Sequence, residues 1–181
     1  MAELGILDWI AQNCRNDWMD IFMSSITRLG DSGIFWIVLG VVLLLCRNSR
    51  SKGAQVLLAL VFSLIFCNLI LKNAVGRIRP FELNLAADVL IPKPTDPSFP
   101  SGHTSASFAA AVVLLLTQWK GRWITLVLAV LIAFSRLYLY VHFPTDVLVG
   151  AVLGSLCGWL AVQVWNKFQA KRTLPPHPHR F

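Results

Sequence analysis

The fold is decided in residues 100–165, PSGHTSASFAAAVVLLLTQWKGRWITLVLAVLIAFSRLYLYVHFPTDVLVGAVLGSLCGWLAVQVW. Three apolar runs, 103–119, 123–141 and 145–165, lie end to end, broken only by two short links. A helix crosses a bilayer with about 17–25 largely apolar residues, so each run is long enough to span. Toward the N-terminus, 54–71 is a fourth run, and 32–46 a fifth that reaches spanning length with residues 29–31 added. Inside all five runs the only formal charges are Arg136 and Asp146, each near a run's end. The expected fold is all-α, a polytopic membrane helix bundle with about five spanning helices.

Composition agrees. Of 181 residues, 56% are hydrophobic and 14% charged, against about 25% charged in soluble domains. That argues against a soluble enzyme, a disordered chain or a disulfide-stapled secreted module. The net charge of +7 does not point to nucleic acid, because such binders display cations on a polar surface that this chain lacks. Cys14, Cys46, Cys67 and Cys157 stand singly. With no Cys-x-x-Cys pair they read as buried thiols, small apolar residues rather than a zinc or redox site. No basic stretch followed by an apolar core and a cleavage site is present, so no signal peptide is expected.

The cations sort by side. The link 47–53, the link 120–122 and the C-terminal tail together hold nine of the 16 Lys and Arg residues, crowded into short segments. The positive-inside rule makes that side cytoplasmic. The N-terminus and the loop 72–102 then face outward. Residues 1–27 place Leu7, Ile10, Cys14, Trp18, Ile21, Phe22 and Ile26 three or four apart, with Asp8, Gln12, Asn13, Asp17 and Asp20 between them. That spacing predicts an amphipathic helix lying in the interface. Gly150, Gly154 and Gly158 recur every fourth residue, a face suited to close helix packing. The expected organisation is one membrane-embedded domain over 1–172, with 173–181 a solvated, disordered tail in which His177 and His179 carry no assigned role.

Three polar clusters fall at the outward ends of spans. The first runs from Lys72 through Arg77 and Arg79 to Pro80. The second is Pro100, Ser101, Gly102 and His103. The third is Ser135 and Arg136, then His142 and Asp146. Each has an ordinary alternative: interfacial anchors, a helix-capping turn, a structural hydrogen bond. Arg136 is the exception, because a cation inside an apolar span costs about 2.5–3.5 kcal/mol on insertion scales and needs a partner or ligand. Topology brings all three clusters to one membrane face, where they offer cations, two imidazoles, a carboxylate and a helix N-terminus. Such a set fits a phosphate. Histidine is a competent nucleophile, Asp146 can orient it, and a second histidine can donate a proton. The other outer acids, Glu3, Asp8, Asp17, Asp20, Asp31, Glu82, Asp88 and Asp96, are scattered in sequence. Two-metal phosphoryl transfer needs clustered carboxylates, so no metal and no cofactor is expected.

These clusters resemble the three signature motifs of the type-2 phosphatidic acid phosphatase superfamily, over roughly residues 54–165. The first motif matches Lys72, Arg79 and Pro80; the second Pro100 to His103; the third Ser135, Arg136, His142 and Asp146. The resemblance implies that His142 attacks phosphorus, giving a phosphohistidine, that Asp146 orients it, and that His103 protonates the leaving oxygen. It implies that Lys72, Arg79, Ser101, Gly102 and Arg136 hold the phosphoryl oxygens. Arg77 is no signature position. The stretch LIPKPTDPSFP at 90–100 is similar to the undecaprenyl pyrophosphate phosphatase branch, which implies a cell-wall carrier lipid as substrate. Phosphatidylglycerol phosphate, phosphatidic acid and lipid A phosphates are the other lipid substrates to weigh. A transport or structural membrane protein, its charges merely lining a cavity, is the alternative of another class. No nucleic acid and no obligatory protein partner is expected.

Overall fold

The computed structural model describes residues 2–173; the tail reading for 173–181, apart from Thr173, and the two tail histidines lie outside them. The chain is all-helical, with no strand among the described residues. It opens with α1 (Ala2–Asn13) and α2 (Asp17–Arg28), followed by a tight turn at Asp31–Gly33 and α3 (Ile34–Leu45). Then comes α4 (Arg50–Ser63), which runs on through a π-helical stretch, Leu64–Leu71, into α5 (Lys72–Val75). After the short α6 (Pro80–Leu83) a long loop leads to α7 (Gly102–Leu116), α8 (Arg122–Tyr138) and α9 (Pro144–Thr173).

The single amphipathic helix expected over residues 1–27 is two helices. Asn16 ends the first by starting the second: its side-chain oxygen accepts from the Met19 backbone N–H at 3.0 Å, satisfying a donor that the new helix leaves open. The apolar spacing continues across this break, which is why periodicity alone does not reveal it. Leu7 and Ile10 are buried as the spacing predicts, but α2 buries Met23 and Thr27 and leaves Trp18 and Ile21 exposed.

By length and composition, Arg50–Leu83 and Pro144–Lys171 can each cross a membrane, and α2 joined to Asp31–Leu45 at a 44° bend qualifies as a third. α7 is a shorter apolar helix of 15 residues, and α8 has 17. The outward faces are apolar: Val38, Leu45, Val127, Leu148, Val152 and Leu156 are all exposed. A lipid-facing surface explains such exposure, whereas a soluble monomer rarely shows a contiguous apolar patch of this kind.

Inside, α7 is the central helix, packed against α9, α8 and α4. Alanines 109–111, Val113 and Leu114 meet Trp36, Val56, Ile132 and Cys157 in one core. The glycine face of α9 makes the contact with α7 possible. A β-carbon at Gly150, Gly154 or Gly158 would come within 2.7, 2.2 and 2.6 Å of the carbonyl oxygens of Ser101, Ser105 and Ala109. Only glycine lets the two backbones approach this closely. A second core, of Leu7, Ile10, Met23, Phe81, Phe143 and residues 138–141, seats α1 and α2 on the C-terminal end of α8. Among the cysteines, Cys67 and Cys157 are buried as expected, Cys14 is half-buried, and Cys46 is exposed at the end of α3.

Candidate active site

α8 ends at Tyr138, and the link to α9 turns His142 inward, where it is 1% exposed. Asp146, in the first turn of α9, is fully buried. Its Oδ2 accepts from the Phe143 N–H at 2.8 Å and from the Ser98 hydroxyl at 2.5 Å, and lies 3.6 Å from His142 Nδ1. Ser98 Oγ stands 3.4 Å from the same nitrogen. The carboxylate therefore lies on the Nδ1 side of the ring, and Nε2 points to Arg79, 3.3 Å from Nη1. Burial holds the imidazole well below its ordinary pKa, so it is neutral and able to act as a nucleophile.

The cations converge from three elements. Lys72 starts α5, Arg79 precedes α6, and Arg136 sits in the last turn of α8, all three buried. Arg79 is fixed by donating to the backbone carbonyls of Val141 and Asp96, each at 2.8 Å. Arg136 donates through Nη1 to the hydroxyl of Thr27 on α2, while its Nε is buried with no hydrogen-bond partner. Ser101 caps α7, its hydroxyl accepting from Thr104, and its own N–H donates to the Asp146 carbonyl at 3.0 Å. That bond, with the glycine contact below it, registers the start of α7 against the start of α9. Gly102 is the first residue of α7 and packs against the amide of Asn68. His103 follows, partly exposed, with Nε2 at 2.9 Å from Asp31 Oδ1.

All eight residues singled out in the sequence thus gather at one end of the bundle. Four more belong with them. Asp96 bridges Lys72 and Arg79, accepting from Lys72 Nζ and, at 2.8 Å, from Arg79 Nη2. Partial burial would raise its pKa, but the bond to Lys72 and the charges of Lys72 and Arg79 hold it down to about 2. Ser98 joins His142 to Asp146. Arg77, without a role in the sequence reading, grips Asp146 Oδ1 at 2.6 Å through Nη1, the Thr145 hydroxyl at 2.7 Å and Glu3 at 2.5 Å, with its guanidinium 3.9 Å over the Phe143 ring. Asp31 is the fourth. The outer acids that look scattered in sequence are therefore partly gathered by the fold, since Glu3, Asp31 and Asp96 each meet a basic group of the site. Among the described residues no group of three or more His, Cys, Asp or Glu could hold a metal ion.

Beside Lys72, Asp96 and His103 opens a cavity of about 720 Å³. Gly102 and Asn68 form its polar end, and Ile37, Leu57, Leu60, Val61 and Leu64, from α3, α4 and the π-helical stretch, line the rest. It joins a polar end, at Lys72, Asp96 and His103, to an apolar groove.

Comparison with known proteins matches residues 52–170 to a family model described as PAP2 superfamily. An undecaprenyl-diphosphatase of Sulfolobus acidocaldarius is 38% identical over 130 residues, 71% of this chain and 63% of that protein; the chain thus spans less than two thirds of that relative's length. The crystal structure of Aquifex aeolicus LpxE superposes with a TM-score of 0.78 at 30% identity, covering 90% of this chain and 96% of that one. A transmembrane PAP2 type phosphatidylglycerolphosphate phosphatase from Bacillus subtilis gives 0.73 at 28% identity, covering 98% and 88%.

Proposed function

The chain belongs to the PAP2 superfamily, and from that premise we propose that it is an integral membrane lipid phosphatase working through a phosphohistidine. The observation that carries the reading is a buried His142 with the Asp146 carboxylate on its Nδ1 side, 3.6 Å away, and Arg79 Nη1 3.3 Å from its Nε2. In this reading Lys72, Arg79 and Arg136, with Ser101 and the Gly102 N–H, hold the phosphoryl oxygens. His142 Nε2 bonds to phosphorus as the bond to the lipid oxygen breaks, and that oxygen takes a proton from His103. Asp146, on the Nδ1 side, holds the tautomer and supports the positive charge the ring gains. A water then attacks phosphorus and returns its proton to His103, the P–N bond breaks, and phosphate leaves. No step calls on a metal or a cofactor.

The substrate in this reading is an amphiphile, because the polar end of the cavity, at Lys72, Asp96 and His103, continues into an apolar groove. Undecaprenyl pyrophosphate, cleaved to undecaprenyl phosphate, is the substrate we favour, on the similarity to the Sulfolobus undecaprenyl-diphosphatase and on the 90–100 stretch. The Bacillus structural neighbour favours phosphatidylglycerol phosphate as the second reading. The bundle crosses five times in this account, with α3, α4 and its continuation, α7, α8 and α9 as spans. α1 and α2 lie at the outer interface, where exposed Trp9 and Trp18 anchor them. The site faces outward and the C-terminus is cytoplasmic.

The test is phosphate release by the purified protein in detergent from undecaprenyl pyrophosphate, phosphatidylglycerol phosphate and phosphatidic acid, ranked by kcat/KM. His142→Ala should abolish release from all three while the protein stays folded. Retained turnover in that variant overturns the mechanism, and failure of the wild type on every substrate favours the transport or structural alternative.

A further inference from the structure

His103, the proton donor of this account, is held in a cradle that no signature motif contains. The cradle is the turn between α2 and α3. Asp31 presents Oδ1 to His103 Nε2 at 2.9 Å. Gly30 leaves the ring its space, since a β-carbon there would stand 2.7 Å from His103 Cδ2 and 3.0 Å from Ile132 Cγ2. Ser32 and Gly33 then adopt left-handed backbone, with φ of 51° and 66°. That backbone keeps the turn short, with Asp31 beside the ring as α3 departs. No hydrogen-bond partner among the described residues takes up Nδ1. The charged groups around the ring are Asp31, Arg136 and Lys72.

The geometry points to Asp31 as a positioning residue for the phosphatase reaction: it holds His103 by Nε2 and leaves Nδ1 to deliver the proton. The inference rests on the phosphatase reading above. As the His142–phosphorus bond forms and the phosphorus–oxygen bond to the lipid breaks, the Nδ1 proton passes to the departing oxygen. The attacking water later restores it. Asp31 itself neither gains nor loses a proton. It lies outside the matched residues 52–170, so the N-terminal helices would supply a part of the site that the family motifs do not.

Help from a proton donor matters most when the leaving group is poor. The experiment therefore compares short-chain phosphatidic acid, which expels an alkoxide, with p-nitrophenyl phosphate, which expels a stable phenolate, for the wild type, Asp31→Asn, Asp31→Glu and His142→Ala. In Asp31→Asn, kcat/KM on phosphatidic acid should fall about tenfold or more, within the range that acid catalysis supplies, and the alkaline limb of its pH profile should move to lower pH. On p-nitrophenyl phosphate the loss should stay within about threefold, because that leaving group needs little proton donation. Asp31→Glu, which keeps the carboxylate, should restore most of the difference. The ratio of the two rates is read within each variant, so it does not depend on how much of the protein is folded. An unchanged ratio with an unshifted alkaline limb overturns the inference while the phosphatase reading stands. A wild type inactive on both substrates, or an active His142→Ala, overturns the phosphatase reading and the inference with it.

Discussion

Asp146 is a fully buried carboxylate, and a buried charge is tolerated only when paired and hydrogen-bonded. It meets this condition through Ser98, the Phe143 N–H and Arg77, and that last contact gives Arg77 a role that spacing could not. Arg77→Ala removes a charged hydrogen bond worth about 1.5–3 kcal/mol, so kcat should fall about tenfold to a hundredfold with KM little changed. Steady-state kinetics on a micellar substrate check this; a rise in KM with kcat unchanged would move Arg77 to phosphate binding. Asp96 supports a pH prediction. Its pKa is depressed to about 2, below the value of about 3.9 for a free aspartate, so the unfolded chain binds its proton first. The bridge to Lys72 and Arg79 therefore stabilises the fold fully above about pH 4 and loses that contribution as pH falls toward about 2. Thermal unfolding should show Asp96→Asn less stable than the wild type at pH 7, with the gap closing in acid. The motif residues are legible in the sequence because they sit at the ends of apolar runs, where a polar cluster stands out. Asp31, Arg77, Asp96 and Ser98 are not, because their partners depend on the path of loops that carry no periodicity.

At the scale of elements, the packing of α7 on α9 aligns the chemistry, because it carries Ser101, Gly102 and His103 past Asp146 in a fixed register. The glycine repeat at 150, 154 and 158 is readable as a packing face, and the structure uses it so. Gly154→Ala puts a β-carbon 2.2 Å from the Ser105 carbonyl oxygen, so the helices must part. Overpacking of this kind costs about 1–3 kcal/mol, and activity should drop along with the unfolding temperature in detergent. An unaffected enzyme would show that the register is held elsewhere. The break between α1 and α2 is not legible in the spacing, because a capping residue interrupts the helix while the apolar period runs on. The π-helical stretch is likewise invisible to hydropathy, since its residues are as apolar as those of a regular helix.

For the whole molecule, charge and hydropathy give the class, a membrane protein of helices. They do not give the lateral groove, which exists only once α3 and α4 stand beside the start of α7. The proposed orientation places exposed Cys46, at the end of α3 beside Arg47, on the cytoplasmic side. In a Cys14→Ser background, a membrane-impermeant maleimide should label the protein in inverted vesicles and not in intact cells; the reverse pattern would invert the topology. Activity should also persist in excess chelator, and complete inhibition reversed by magnesium would contradict a reaction carried by protein groups alone. The central claim is that His142 becomes phosphorylated. Its most direct measurement is a rapid acid-free quench of the enzyme with a lipid substrate labelled at the terminal phosphate, followed by peptide mapping. The account predicts an acid-labile, alkali-stable label on His142 that appears within the first turnover and is absent from His142→Ala. Full turnover with no label on His142, or a label on another residue, would contradict it.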